Sequence, residues 1–187
     1  MKLQTLTKVF ILLLCSTSLQ AKINQECVKA VRSEYPYPNT VTASKACRNV
    51  DMNCVKDVRS DYPYPNTATA ANSCRGRINQ ECVKAVRSEY PYPNTAVASK
   101  SCKNVDMICV KAVRSEYPYP NTATAANSCR GRINQECVKA VRSEYPYPNT
   151  ESASKICQYV DMKCVKTARS EYPYPSSAKA AESCKTR

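Results

Sequence analysis

Apolar positions in this chain come in short bursts at helical spacing, separated by polar and proline-rich stretches. In the first burst Cys27, Val28, Ala30 and Val31 share one face of a helix. A weaker burst of small residues follows. At about 100° per residue, Thr40, Ala43, Ser44 and Cys47 share a face. This pair of bursts recurs six times with Cys at matching places: Cys27/Cys47, Cys54/Cys74, Cys82/Cys102, Cys109/Cys129, Cys137/Cys157 and Cys164/Cys184. Nineteen residues separate the two Cys every time.

The helix starts are written in the residues. Asn24 is a good N-cap, because its side-chain oxygen can accept from an otherwise orphan backbone N–H. Ile23 and Val28 occupy the two positions of a hydrophobic staple around it. The device recurs with Val50/Asp51/Val55, Ile78/Asn79/Val83, Val105/Asp106/Val110, Ile133/Asn134/Val138 and Val160/Asp161/Val165. The spacing predicts a first helix from about Gln25 to Glu34. Tyr35-Pro36-Tyr37-Pro38 ends it, since proline lacks the needed N–H and disfavours helical backbone in the residue before it. Alternating prolines predict an extended, polyproline-like segment. Asn39 or Thr40 then caps a second, shorter helix.

A Val face against a small-residue face lets two helices approach closely, and closeness is what a disulfide requires. Cys27 stands near the start of the first helix and Cys47 near the end of the second, where an antiparallel hairpin joins them. The expected bonds are therefore Cys27–Cys47 and its five equivalents. Each contributes ~3 kcal/mol in the chain-entropy model. The competing bond between neighbouring units, Cys47 to Cys54, would span two turns of a continuing helix and is too long.

The units alternate. Arg75-Gly76-Arg77 and Arg130-Gly131-Arg132 follow the second and fourth, and these Gly suit left-handed C-caps. The junctions after odd units, such as Arg48-Asn49-Val50, hold neither Gly nor Pro and are expected to be tighter or nearly continuous helix. The fold class is thus all-α: tandem disulfide-stapled antiparallel helical hairpins, six units in three two-hairpin modules, stacked as a short α-solenoid. The units are 22–48, 49–76, 77–103, 104–131, 132–158 and 159–187. The last is degenerate: Ser176-Ser177 replace Asn-Thr, and Lys179 and Glu182 add charge, as in a solvent-facing end cap.

Composition changes the picture in two ways. First, the chain holds no Trp and a single Phe, so burial at ~0.8 kcal/mol per CH2 cannot hold so small a unit, and the disulfides must. Second, residues 1–21 read as a secretory leader with Lys2 and Lys8, an apolar run from Val9 to Leu14, and a cut after Ala21 or Ser18. The run is too short to span a bilayer. Bulky Leu14 argues against lipidation at Cys15. Without the leader the Cys count is even, which points to disulfides in an oxidising compartment: secreted, periplasmic or at the cell surface.

The formal net charge of +13 falls only by the two leader lysines and favours acidic partners: an anionic polysaccharide, lipid head groups, extracellular nucleic acid. Lys29 and Arg32 lie opposite the Val face, about 60° apart. The pair recurs as Lys56/Arg59, Lys84/Arg87, Lys111/Arg114, Lys139/Arg142 and Lys166/Arg169. Stacked hairpins would align these as a basic stripe, or as a solvated face partly neutralised by Glu26 and Glu34. Local ion pairs of Glu34 with Arg32 or Lys29 are expected.

The loops supply the second candidate: Tyr35/Tyr37, Tyr62/Tyr64, Tyr90/Tyr92, Tyr117/Tyr119, Tyr145/Tyr147 and Tyr172/Tyr174. In an extended segment the two rings of a loop point apart, so one is expected to plug the open end of the hairpin and one to face solvent. Rows of rigid rings suit stacking on sugars or packing on a protein. The chain has no His, no Cys-x-x-Cys and no Gly-rich phosphate loop, so no catalysis, cofactor or metal is expected. The reading is an exported multivalent binding or surface scaffold for an anionic polymer or an envelope or host protein, with self-association open. The alternatives are a self-assembling structural component of an envelope or matrix, and a secreted disulfide-rich effector or inhibitor.

Overall fold

A computed structural model describes residues 22–186; the leader, Cys15 and the reading of residues 1–21 lie outside them. Twelve short helices form six hairpins: α1 (Gln25–Arg32) with α2 (Thr40–Ala46), α3 (Met52–Ser60) with α4 (Thr67–Ser73), and α5 (Gln80–Arg87) with α6 (Thr95–Ser101). Then come α7 (Met107–Arg114) with α8 (Thr122–Ser128), α9 (Gln135–Arg142) with α10 (Thr150–Ile156), and α11 (Met162–Ser170) with α12 (Ser177–Ser183). The protein is all-α, a short solenoid of stacked hairpins. No described helix is long and apolar enough to cross a membrane.

The caps are those the sequence encodes. The Asn24 side chain accepts from the Cys27 N–H at 3.1 Å. Asn39 caps α2, accepting from the Thr42 N–H at 2.9 Å. The first helix stops at Arg32, two residues short of the expected Glu34, with Ser33 as its C-cap.

Each hairpin is closed by its own disulfide, with Cα atoms 5.7 Å apart in Cys27–Cys47 and 5.6 Å apart in Cys164–Cys184. The four between them follow the same pairing. Sulfur is also core material: Cys27, Cys47, Cys74, Cys82, Cys102, Cys129 and Cys157 are wholly buried, beside Val28, Val31, Ala43 and their equivalents. This explains how a unit without large apolar side chains packs. The disulfide fills the space between a Val face and an Ala face.

The junctions correct the sequence reading. Those after odd units are not continuous helix. They turn through left-handed residues just as the glycine junctions do: Asn49, Asn104 and Tyr159 have φ of 51°, 52° and 57°, against 88° and 83° at Gly76 and Gly131. Asn tolerates that conformation because its short side chain bonds locally. At each junction the residue before a first helix bridges the residue after the second, as in Ile23 with Arg48. Backbone bonds flank each bridge and close the hairpin at its base. The Asn49 N–H donates to the Lys22 carbonyl at 2.9 Å, and the Gly76 N–H to the Asn49 carbonyl at 2.6 Å. These bonds run along one edge, the base of the stack. The Tyr-Pro loops lie at the opposite edge.

Candidate functional site

The loop edge is built by a turn. In each unit the second Tyr donates its N–H to the carbonyl of the residue before the first Tyr, Tyr37 to Glu34 at 2.7 Å. The same bond joins Tyr64 to Asp61, Tyr92 to Glu89, Tyr119 to Glu116, Tyr147 to Glu144 and Tyr174 to Glu171, each at 2.7 Å. The chain thus doubles back within four residues, and the expected polyproline-like segment is overturned. The Tyr-Pro bonds that open these loops, from Tyr35-Pro36 to Tyr172-Pro173, are cis, which makes each a type VI turn.

The turn also overturns the expectation that one ring plugs the hairpin. Tyr35 is 84% exposed and Tyr37 68% exposed. The correction holds in every other loop. Neither ring of Tyr62/Tyr64, Tyr90/Tyr92, Tyr117/Tyr119, Tyr145/Tyr147 or Tyr172/Tyr174 enters the core, and all ten face solvent. Nor do the two rings of a loop point apart. They meet edge to face with centroids 6.0 Å apart, in every loop within a tenth of that. The core has no room for them, because the disulfide and the Val and Ala side chains already fill it.

The second Tyr of each loop holds a left-handed backbone. Its φ is 56° at Tyr37, 55° at Tyr64 and Tyr119, 54° at Tyr147, and 53° at Tyr92 and Tyr174. That conformation costs an ordinary L-residue ~1–2 kcal/mol. Beside two of the loops run narrow clefts. Tyr62, Pro63 and Pro65 face Asn94, Ala96 and Lys100 of the next unit across about 200 Å³. Tyr117, Pro118 and Pro120 face Asn149 and Glu151 across about 140 Å³.

The first-helix face carries the candidate basic stripe. All twelve side chains, from Lys29 and Arg32 to Lys166 and Arg169, are exposed on it. Most are paired, and across units rather than within them. The Glu34 carboxylate binds Arg59 of the next hairpin at 2.8 Å, not Arg32 or Lys29. The same forward pair joins Asp61 to Arg87, Glu89 to Arg114, Glu116 to Arg142 and Glu144 to Arg169. Lys56, Lys111 and Lys166 reach back to Glu26, Glu81 and Glu136. Among the described residues Lys29, Arg32, Lys84 and Lys139 stand outside these pairs. Lys84 and Lys139 do so because Asn53 and Ile108 hold the position that Glu fills in odd units.

Each forward carboxylate also caps the next unit's second helix. Glu34 accepts from the Thr67 N–H at 2.7 Å and from its hydroxyl at 2.6 Å. Glu89 does the same for Thr122, Glu116 for Thr150 and Glu144 for Ser177. Burial pushes the Glu116 carboxyl up, but the Thr150 hydroxyl and amide, with Arg142, outweigh it and hold it below the ordinary carboxylate range. At Glu144 burial likewise acts upward, and the Ser177 amide and hydroxyl with Arg169 outweigh it and lower the carboxyl.

A third feature, the base, has no counterpart in the sequence reading. Its bridges place Arg48, Arg75, Lys103, Arg130 and Lys185 along one edge. Arg77 and Arg132 line grooves there with Asn104, Asp106 and Tyr159. Arg75 and Arg130 donate to the Lys45 and Lys100 carbonyls at 3.1 and 3.2 Å and so close the ends of second helices. The available signal was the basic residue after nearly every second Cys. Among the described residues no three His, Cys, Asp or Glu are gathered as a metal ion would need.

The architecture defines a disulfide-rich, repeated helical protein. No family model, no curated protein and no solved structure matches the chain.

Proposed function

We propose that this chain is an exported, non-catalytic scaffold that binds an extended partner through its Tyr-Pro edge, with several loops engaged at once. The partner class is an anionic polymer or an envelope or host surface. Net positive charge draws such a partner in, and the tyrosines hold it. The basic side chains left outside ion pairs, Lys29, Arg32, Lys84 and Lys139, add to the attraction. Disulfide closure of every unit accords with a secreted, periplasmic or surface location.

One observation carries the reading. Six times over, at Tyr37, Tyr64, Tyr92, Tyr119, Tyr147 and Tyr174, a tyrosine is held in a costly left-handed backbone with its ring mostly in solvent. Core packing cannot be the reason, because the ring is not in the core. Such strain is typical of residues kept for what they touch. Six equivalent contacts also give avidity without needing a tight single site.

The test is retention on immobilised heparin and on lipopolysaccharide, beside a plain basic protein of equal charge. Tyr35 and Tyr37 and their equivalents are changed to Ser in one, three or all six loops. The reading expects retention above the control, falling more steeply than in proportion as loops are removed. Retention equal to the control and indifferent to the tyrosines removes the polymer partner. A glycan and envelope-protein array then decides whether the edge binds anything.

A further inference from the structure

We propose that the two ends of the stack dock on each other, so that copies of this chain join head to tail and extend the row of tyrosine pairs. The partner is a second copy, and the surfaces are the trailing face of the sixth hairpin and the leading face of the first. The inference does not depend on what the tyrosines bind.

The chain already contains this joint. From an even unit to the following odd unit it is made twice. Asp61 accepts from the Thr95 N–H at 2.7 Å and pairs with Arg87. Glu116 does the same with Thr150 and Arg142. In both joints a disulfide sulfur meets a serine hydroxyl: Cys54 Sγ lies 3.3 Å from Ser99 Oγ, and Cys109 Sγ 3.2 Å from Ser154 Oγ. The cysteines, serines and threonines of the joint are sealed from water, while its arginines stay exposed. Cys54 and Cys109 are 1% exposed, Thr95 and Thr150 2%.

Among the described residues the sixth unit is even and the first is odd, so their outward faces carry the two halves of this same joint. On the trailing face Glu171 and Cys164 are exposed, and Glu171 has no side-chain partner among the described residues. On the leading face Thr40 and Arg32 are exposed and Ser44 is half-buried. These are the residue types of Arg87, Thr95 and Ser99, and again of Arg142, Thr150 and Ser154. The geometry that seats Asp61 and Glu116 would seat Glu171 on Thr40 and Arg32 of the next copy, with Cys164 against Ser44.

The charges of the last helix do not block this. Lys179 and Glu182 occupy positions held by Thr69 and Asn72, and by Thr124 and Asn127, which stay outside the core of the stack. Glu182 thus stands on the flank, whereas Lys179 stands at the rim of the joint, because Thr69 and Thr124 line the clefts towards the next unit; it would face Lys45 of the next copy as Thr69 faces Lys100. Two further differences make the end joint weaker than the inner ones. Ala168 stands where Val58 and Val113 pack. Lys163 stands at the position of Glu26, Glu81 and Glu136, which pair with a lysine of the next unit, so it would face Lys29. That repulsion is between exposed groups and is screened by salt. Both ends being used once per copy, the contact is heterologous and grows in a line.

Sedimentation of the purified, oxidised full chain over a range of concentrations tests the idea. The expected result is a mass that rises with concentration and rises further at moderate salt. Lys163→Glu should tighten association roughly fivefold at low salt, by turning a repulsion into a surface ion pair. Glu171→Arg should weaken it at least tenfold by losing hydrogen bonds to a charged group. Thr40→Pro should do the same: proline is accepted at the first position of a helix but has neither the N–H nor the hydroxyl. Circular dichroism confirms that each variant folds. Mixing Glu171→Arg with Thr40→Pro leaves one intact joint per pair, so particles of two chains and no longer should form. A single monomer peak at every concentration and salt overturns the proposal, as does association that ignores both variants.

Discussion

Tyr37 and its equivalents, Tyr64, Tyr92, Tyr119, Tyr147 and Tyr174, spend stability on a backbone that tyrosine disfavours. Asn occupies left-handed backbone more readily, as Asn49 and Asn104 do in the same chain. Replacing the second Tyr of all six loops by Asn should therefore raise the denaturation midpoint, by up to about 1 kcal/mol per loop, while binding through the edge is lost. A drop in stability would mean that the rings support the fold. Asp61 presents a second residue-scale case. It is one methylene shorter than the glutamates at its position. It reaches the Thr95 N–H but leaves the buried Thr95 hydroxyl without a partner, and its Arg87 contact stretches to 3.4 Å. Asp61→Glu should satisfy that hydroxyl and stabilise the protein by about 1 kcal/mol in denaturant titration. These details hinge on side-chain reach across a joint, which the sequence of one unit does not display.

At the scale of the element, the hairpin was legible because each of its determinants is local. N-caps, staples and prolines mark the helix ends, and fixed Cys spacing marks the bond. The loop was not legible in the same way. Two alternating prolines fit an extended run as well as a tight turn, and the direction of both rings depends on which of these forms. The odd junctions were open for a related reason: absence of Gly fitted a tighter connection or nearly continuous helix, and Asn49 makes the turn as a left-handed residue. Because each unit carries its own staple, stability should be divisible. Replacing Cys82 and Cys102 with Ala in a central unit should cost ~3 kcal/mol and split the denaturation curve into two steps. The same change at Cys164 and Cys184 should fray one end and leave the main transition in place.

Over the whole molecule, the stripe of lysine and arginine was readable as a row, but its neutralisation was not. Glu34 meets Arg59 only because the hairpins stack with that rotation. The base went unread although a basic residue follows nearly every second Cys, because only the bridges bring those residues onto one edge. The stack's forward carboxylates give it an acid limit. Glu116 and Glu144 titrate lower when folded than their ordinary value of 4.5. Their contribution is thus full above that value and is lost as pH falls through the lowered one. The denaturation midpoint of the oxidised protein should stay level from about pH 7 to pH 5.5 and fall below about pH 4. A midpoint unchanged at pH 3 would mean that these carboxylates do not hold the units together.

The bond from Cys27 to Cys47 encloses the whole Tyr-Pro loop, and every later unit repeats the arrangement. A protease that cuts a Tyr-Pro loop therefore cuts inside a closed ring. A nick beside Tyr62 or Tyr117 opens a ring and leaves both new ends tethered through sulfur. All six Tyr-Pro loops can be cut and the described residues still travel as one molecule.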